Sequence, residues 1–277
     1  MFLKHLFYMR HLVKESSHFF ASVLVENSQT IAESWRSVAV GFALEKEALN
    51  IDGQIQLLKS TEPEAVRITI VEYWRREMKE HEPKRVAIAK QLLGGDPSLI
   101  VRGIVAHFLS MNLSYDSTIL DSLVVQFKEA RDESMQDCIQ PVLQSLIGRP
   151  EAENLVDMLL ELVGTSASVS QSLRVCGILR PLLSDLEGVG GKVFKGLTHL
   201  LKKNLDVAIG DEILNMIHFV VVKKPEFAGE LLSEVQAKSD DLYLATLLDI
   251  LSELPNLDKN TEASLKAIVV GALNSTQ

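Results

Sequence analysis

Residues 96–102, with the sequence Asp-Pro-Ser-Leu-Ile-Val-Arg, form the stretch from which the fold is most readily inferred. An aspartate followed by a proline is typical of a helix start, because the carboxylate caps free backbone N–H groups and proline fits the first turn. The apolar residues that follow predict a buried helix face. A second stretch of this kind, Glu-Pro-Glu-Ala-Val-Arg at residues 62–67, places its arginine 35 positions before Arg102.

This spacing belongs to a longer pattern, in which seven segments align without gaps on one register position. The steps between consecutive positions are 31, 35, 34, 38, 36 and 35 residues. The positions are Arg36, Arg67, Arg102, Gln136, Arg174, Gly210 and Ala245. A repeat of this length, with two helices in each unit, is the signature of an α-solenoid. The sequence therefore predicts an all-α protein of about seven stacked antiparallel helix pairs.

Composition favours one array over separate domains. Apolar residues make up 47% of the 277 residues and aromatic residues only 6%, so the predicted core is mainly aliphatic. No stretch rich in Pro, Gly or Ser is long enough to link two domains. We therefore expect a single array over residues 1–277, with an N-terminal capping helix at 1–29 and repeats at 30–277.

Cysteine usage and the N-terminal sequence indicate a cellular compartment. The chain has two cysteines, Cys138 and Cys176, each two residues after a register position. Stacking could bring the two thiols together, but small buried thiols in a reducing, intracellular setting are the preferred interpretation. The apolar run from Met1 to Val25 is interrupted by charged and histidine side chains, unlike a signal peptide or a membrane span. We expect a cytoplasmic protein, with the nucleus as the alternative compartment.

The two helix starts described above carry a family resemblance. Residues 96–102 resemble the opening of a HEAT repeat, and residues 62–67 are a near match. The resemblance covers residues 30 to the end and implies a right-handed superhelix with polar ladders between repeats. Its ladder positions in this chain would be Asp96, Arg67, Arg102 and Arg174. The arginine is missing at Gln136, Gly210 and Ala245, where the units could be closer to armadillo repeats.

The predicted function is that of a noncatalytic scaffold or adaptor, because stacked helix pairs expose a long concave face to a protein or peptide. Basic residues recur at helical spacing in the fifth unit, and acidic residues recur in the fourth. The basic row is Lys192, Lys195, His199, Lys202 and Lys203, and the acidic row is Glu153, Asp157 and Glu161. These rows either form a groove for an acidic partner or neutralise each other as neighbouring, solvent-exposed faces.

Catalytic functions find little support in the sequence. Iron-dependent deoxyhypusine hydroxylases built on HEAT units need several His-Glu pairs, and this chain has only His81-Glu82. A HEAT-like alkylpurine DNA glycosylase is kept as an alternative, although 28 basic residues against 37 acidic ones give a net charge of −9. We predict no catalytic residue, no metal site and no cofactor, and we do not expect nucleic acid as the partner.

The ends of the chain suggest a further alternative, a regulatory segment of a larger assembly. The predicted last helix, Leu265 to Leu273, is apolar on all sides, whereas terminal repeats normally present a polar outer face. The apolar first helix has the same property. We therefore expect self-association or continuation of the chain through these terminal helices.

Overall fold

The computed structural model describes residues 33–45, 47–59, 61–77, 82–130, 133–166, 168–201, 203 and 205–228, with 259–260, 262–263 and 266–267 near the C-terminal end. Over these residues the chain forms helices and turns and contains no strand, so the all-α prediction is confirmed. The predicted first helix, the register position Ala245 and most of the predicted last helix lie outside the described residues.

The chain divides into two compact units between Leu146 and Ile147. The described helices of the first unit are α1 (Glu33–Glu45), α2 (Ile51–Gln56), α3 (Glu64–Arg76), α4 (Pro83–Gly95), α5 (Leu99–Met111), α6 (Thr118–Glu129) and α7 (Glu133–Leu146). Those of the second unit are α8 (Leu155–Thr165), α9 (Val169–Leu179), α10 (Val189–Leu200) and α11 (Val207–Lys223). Short 3₁₀ turns occur at Pro150–Ala152, Arg180–Ser184 and Pro225–Phe227.

Local capping explains why these helices begin where they do. Helix α5 starts after Ser98, whose hydroxyl accepts a hydrogen bond from the Val101 backbone N–H at 3.2 Å. Asp96 supports this cap by accepting from the Ser98 backbone N–H at 2.8 Å. Helix α4 starts at Pro83, and the carboxylate of the preceding Glu82 accepts from a backbone N–H of the first turn. These acceptors satisfy donors that the first helical turn leaves open.

Helices of the first unit pack in two layers. Helices α1, α3, α5 and α7 pack each against the next member of that series, and α2, α4 and α6 form a second series. The core between them is aliphatic and includes the fully buried Trp74. The Trp74 indole N–H donates to the Gln54 side-chain oxygen at 2.7 Å, so the aromatic side chain is buried without an unsatisfied donor.

The second unit repeats the same pattern. Helix α8 packs against α10 and α9 packs against α11, so helices two apart in the chain are again neighbours. Glycines allow the turn before α10. A Cβ at Gly190 would collide with the backbone carbonyl oxygens of Leu182 and Asp185, so only glycine fits there. The cluster Gly188 to Gly191 thus lies at the start of α10, with Gly188 as its N-cap residue, while the preceding 3₁₀ turn ends at Ser184.

The sequence pattern predicts one helix from roughly Thr30 to Leu49, and the structure differs from that prediction in the region after α1. Helix α1 ends at Glu45, and Glu47 adopts a left-handed conformation with φ of 55°. The Ala48 N–H donates to the Ala43 carbonyl at 2.8 Å, a six-residue closure typical of helix C-termini. The short helix α2 then begins after Asn50, whose side chain accepts from the Gly53 N–H at 2.9 Å. Sequence periodicity missed α2 because it is only six residues long.

Candidate functional site

The basic row is carried mainly by α10 in the second unit. Lys192, Lys195 and His199 are exposed on this helix, and Lys203 is exposed shortly after it. The fifth predicted member, Lys202, lies outside the described residues. In the acidic row, Asp157 and Glu161 are exposed on α8, and Glu153 is exposed in the turn before that helix. Since α8 and α10 pack together, the two rows lie on neighbouring helices.

Small residues bring α8 and α10 close to each other. A Cβ at Gly196 of α10 would collide with the Leu160 side chain of α8. A Cβ at Gly164 of α8 would lie 2.9 Å from Leu200 Cδ2 and 3.1 Å from Lys203 Nζ. Because both glycines lack side chains, the backbones of α8 and α10 can approach each other closely. The acidic and basic rows, which flank this contact, are therefore also close together.

The rows meet in an ion pair. Lys192 Nζ lies 2.7 Å from Asp157 Oδ2, with 44% of the lysine side chain and 57% of the aspartate side chain exposed. Lys203 places its ammonium group near Gly164, in the last turn of α8, where the helix dipole presents partial negative charge. These two contacts support the interpretation that the basic and acidic rows partly neutralise each other's charge. The surface formed by the two rows therefore carries both positive and negative charge.

The ladder positions of the first unit form a buried ionic contact. Arg67 of α3 donates from Nε to Asp96 Oδ2 at 2.8 Å and from Nη2 to Asp96 Oδ1 at 3.1 Å. Both side chains are almost fully buried. Arg67 Nη1 also donates to the Glu62 carbonyl oxygen. Asp96 therefore joins the first helix of one predicted repeat to the cap of the next.

Sequence reasoning missed a second pair of this type. Arg36 Nη2 lies 2.6 Å from Glu62 Oε2, and both side chains are largely buried. Glu62 precedes Pro63 just as Asp96 precedes Pro97, so the acidic residue before each proline faces the arginine of the preceding repeat. The acidic residue before each proline could have predicted the Arg36–Glu62 pair from sequence. The pair was missed because this position is a glutamate in one repeat and an aspartate in the next.

The other register positions make contacts of different kinds. Arg102 donates from Nε to the Leu93 carbonyl oxygen at 2.7 Å and from Nη2 to Gln126 Oε1 at 3.4 Å. Arg174 is half-buried on α9. Gln136 is buried and donates to the Ala130 carbonyl oxygen at 3.2 Å, while its Oε1 accepts no hydrogen bond. Gly210 is buried on α11 and contributes no side chain to a ladder.

Both cysteines are free thiols, one half-buried and one fully buried. Neither Cys138 nor Cys176 forms a disulfide. Cys138 is half-buried, and its sulfur lies 3.7 Å from the Leu99 carbonyl oxygen. Burial raises the pKa of the Cys176 thiol to about 12, because the thiolate would lose its hydration. A thiol with so high a pKa is a poor nucleophile near neutral pH.

Metal-binding clusters and membrane-spanning helices are both absent from the described residues. These residues contain no group of three or more His, Cys, Asp and Glu side chains arranged to hold a metal ion. Each helix in the described part of the chain is too short or too polar to span a membrane. Of the single His-Glu pair in the sequence, His81 lies outside the described residues and Glu82 caps α4.

Compared with known proteins, the chain matches no family model, no curated protein and no solved structure.

Proposed function

We propose that this chain is a HEAT-like α-solenoid that acts as a noncatalytic scaffold and holds a protein or peptide partner. The observation that carries the proposal is the packing of alternate helices in each unit, where every second helix becomes a neighbour. Proteins built this way expose one series of helices as a continuous surface, which suits extended partners. The Arg67–Asp96 contact between consecutive predicted repeats supports the assignment to the HEAT class.

The proposed binding surface includes the basic row on α10. Lys192, Lys195, His199 and Lys203 are exposed and span about three helical turns, so they could contact carboxylates of an acidic segment. The ion pair between Lys192 and Asp157 does not prevent this, since an exposed pair contributes at most about 1 kcal/mol. An acidic partner would replace Asp157 as the counter-ion of Lys192.

Nucleic-acid binding, including the alkylpurine glycosylase alternative, fits this surface less well. A phosphate backbone needs an uninterrupted basic track, because each neutralised phosphate contributes to affinity. Here Asp157 and Glu161 lie on the helix next to the basic row and would repel phosphates. The net charge of −9 also disfavours binding to nucleic acid.

The alternative of a regulatory segment in a larger assembly is compatible with a scaffold. We propose the cytoplasm, or else the nucleus, as the compartment of this protein.

The binding proposal is tested by affinity capture from a cell lysate with the purified chain as bait. One variant changes Lys192, Lys195 and Lys203 to Glu. A matched control changes Lys59, Lys84 and Lys128 to Glu, which are exposed in the first unit and give the same change in net charge. We expect a protein that the parent and the control retain and the α10 variant loses. Circular dichroism of all three proteins checks that helicity is unchanged.

Two other results of the capture experiment would contradict parts of the proposal. Retention of one protein by all three baits would place its binding site away from α10. Recovery of nucleic acid alone, sensitive to the α10 variant, would overturn the scaffold proposal in favour of its alternative.

The solenoid proposal is tested separately by small-angle X-ray scattering of the whole chain. A compact globule of 277 residues would have a radius of gyration of about 19 Å. One continuous array of helix pairs should give a clearly larger value and an asymmetric distance distribution in a monodisperse sample. A value near that of the globule would contradict the array.

A further inference from the structure

We draw no further inference here: the strongest candidate, the exposed apolar patch that Phe219 and Val222 form on α11 beside the Lys223 ammonium 4.0 Å from the Phe219 ring centre, carries nothing because nothing in the structure shows what covers it.

Discussion

Arg67 and Asp96 form the most deeply buried ion pair among the described residues, with 4% and 1% of their side chains exposed. Removing one member of such a pair leaves a charge without its counter-ion in a poorly solvated site. Asp96→Asn separates the loss of the ion pair from the loss of the cap, because asparagine keeps the oxygen that accepts from the Ser98 N–H. We expect the free energy of unfolding to fall by about 3 kcal/mol, measured by urea denaturation.

A matched control is available in the same unit. Asp52 forms an exposed pair with Lys84 at 3.3 Å, with more than half of each side chain open to solvent. Asp52→Asn should change the free energy of unfolding by no more than about 0.5 kcal/mol, because exposed pairs are weak. If both variants lost the same stability, the buried pair would have no special role in holding α3 to the following cap.

Cys176 gives a prediction on pH dependence. Its folded-state pKa is about 12, above the ordinary value of 9.0. The unfolded thiol therefore ionises above about pH 9 while the folded thiol stays protonated, so stability present below pH 9 is lost as pH rises toward 12. The loss should approach about 1.4 kcal/mol per pH unit.

The experiment compares urea midpoints of the parent and of Cys176→Ala at about pH 8 and about pH 10.5. Other groups titrate in both proteins, so the difference between the two pH slopes reports the thiol alone. The variant starts less stable because alanine leaves a small cavity, but it should lose less on going to the higher pH. Equal losses in parent and variant would show that the buried thiol does not couple to folding.

The sequence predicted where helices begin better than it predicted which side chains make contacts between helices. Glu62-Pro63 and Asp96-Pro97 predicted the starts of α3 and α5 closely, because capping and proline chemistry act within a few residues. Ladder contacts depend on packing between helices. Hence Arg102 was expected in the ladder but bonds to Leu93 and Gln126, while the Arg36–Glu62 pair was missed. Sequence alone also left open whether the charged rows compensate each other, which depends on the α8–α10 contact.

That contact between α8 and α10 rests on Gly196. Gly196→Ala would drive a methyl group into the Leu160 side chain, so α10 must shift or Leu160 must leave its rotamer. Such overpacking costs about 1–3 kcal/mol. Thermal unfolding followed by circular dichroism should therefore show a lower midpoint. In a double-mutant cycle, Gly196→Ala should cost less on a Leu160→Ala background than on the parent, because the collision is absent there.

The second unit supplies its own control for this substitution. Gly177 is exposed on α9, and a Cβ there would meet no atom within 4 Å. Because alanine favours helix over glycine by up to about 1 kcal/mol, Gly177→Ala should raise the midpoint. The opposite signs of the two Gly→Ala changes are the test. A destabilising Gly177→Ala would mean that helix propensity and free space do not govern these sites.

Among the described residues, each helix packs mainly against helices that are adjacent to it or two apart along the chain. When helices pack in this way, the free energy of unfolding is close to a sum of contacts between neighbouring helices. A destabilising substitution should therefore increase local opening mainly in the helices next to it. Of the fold predicted from sequence, the all-α class is confirmed by the described residues, whereas the array that the repeat period indicates stays a prediction. The identity of the proposed partner was not predictable, because it depends on surface residues that the period does not constrain.

Hydrogen exchange measured by mass spectrometry tests this locality. Asp96→Asn should speed amide exchange mainly in α3 and α5, which meet at the lost ion pair, and leave α8–α11 close to the parent. Gly196→Ala should do the reverse, with faster exchange in α8 and α10 and little change in α3 and α5. This reciprocal pattern is expected because each substitution disturbs a contact inside one unit, Arg67 with Asp96 in the first and Gly196 with Leu160 in the second. Uniform acceleration by both variants would instead mean that the chain opens as one cooperative body, and stability would not be a sum of neighbour contacts.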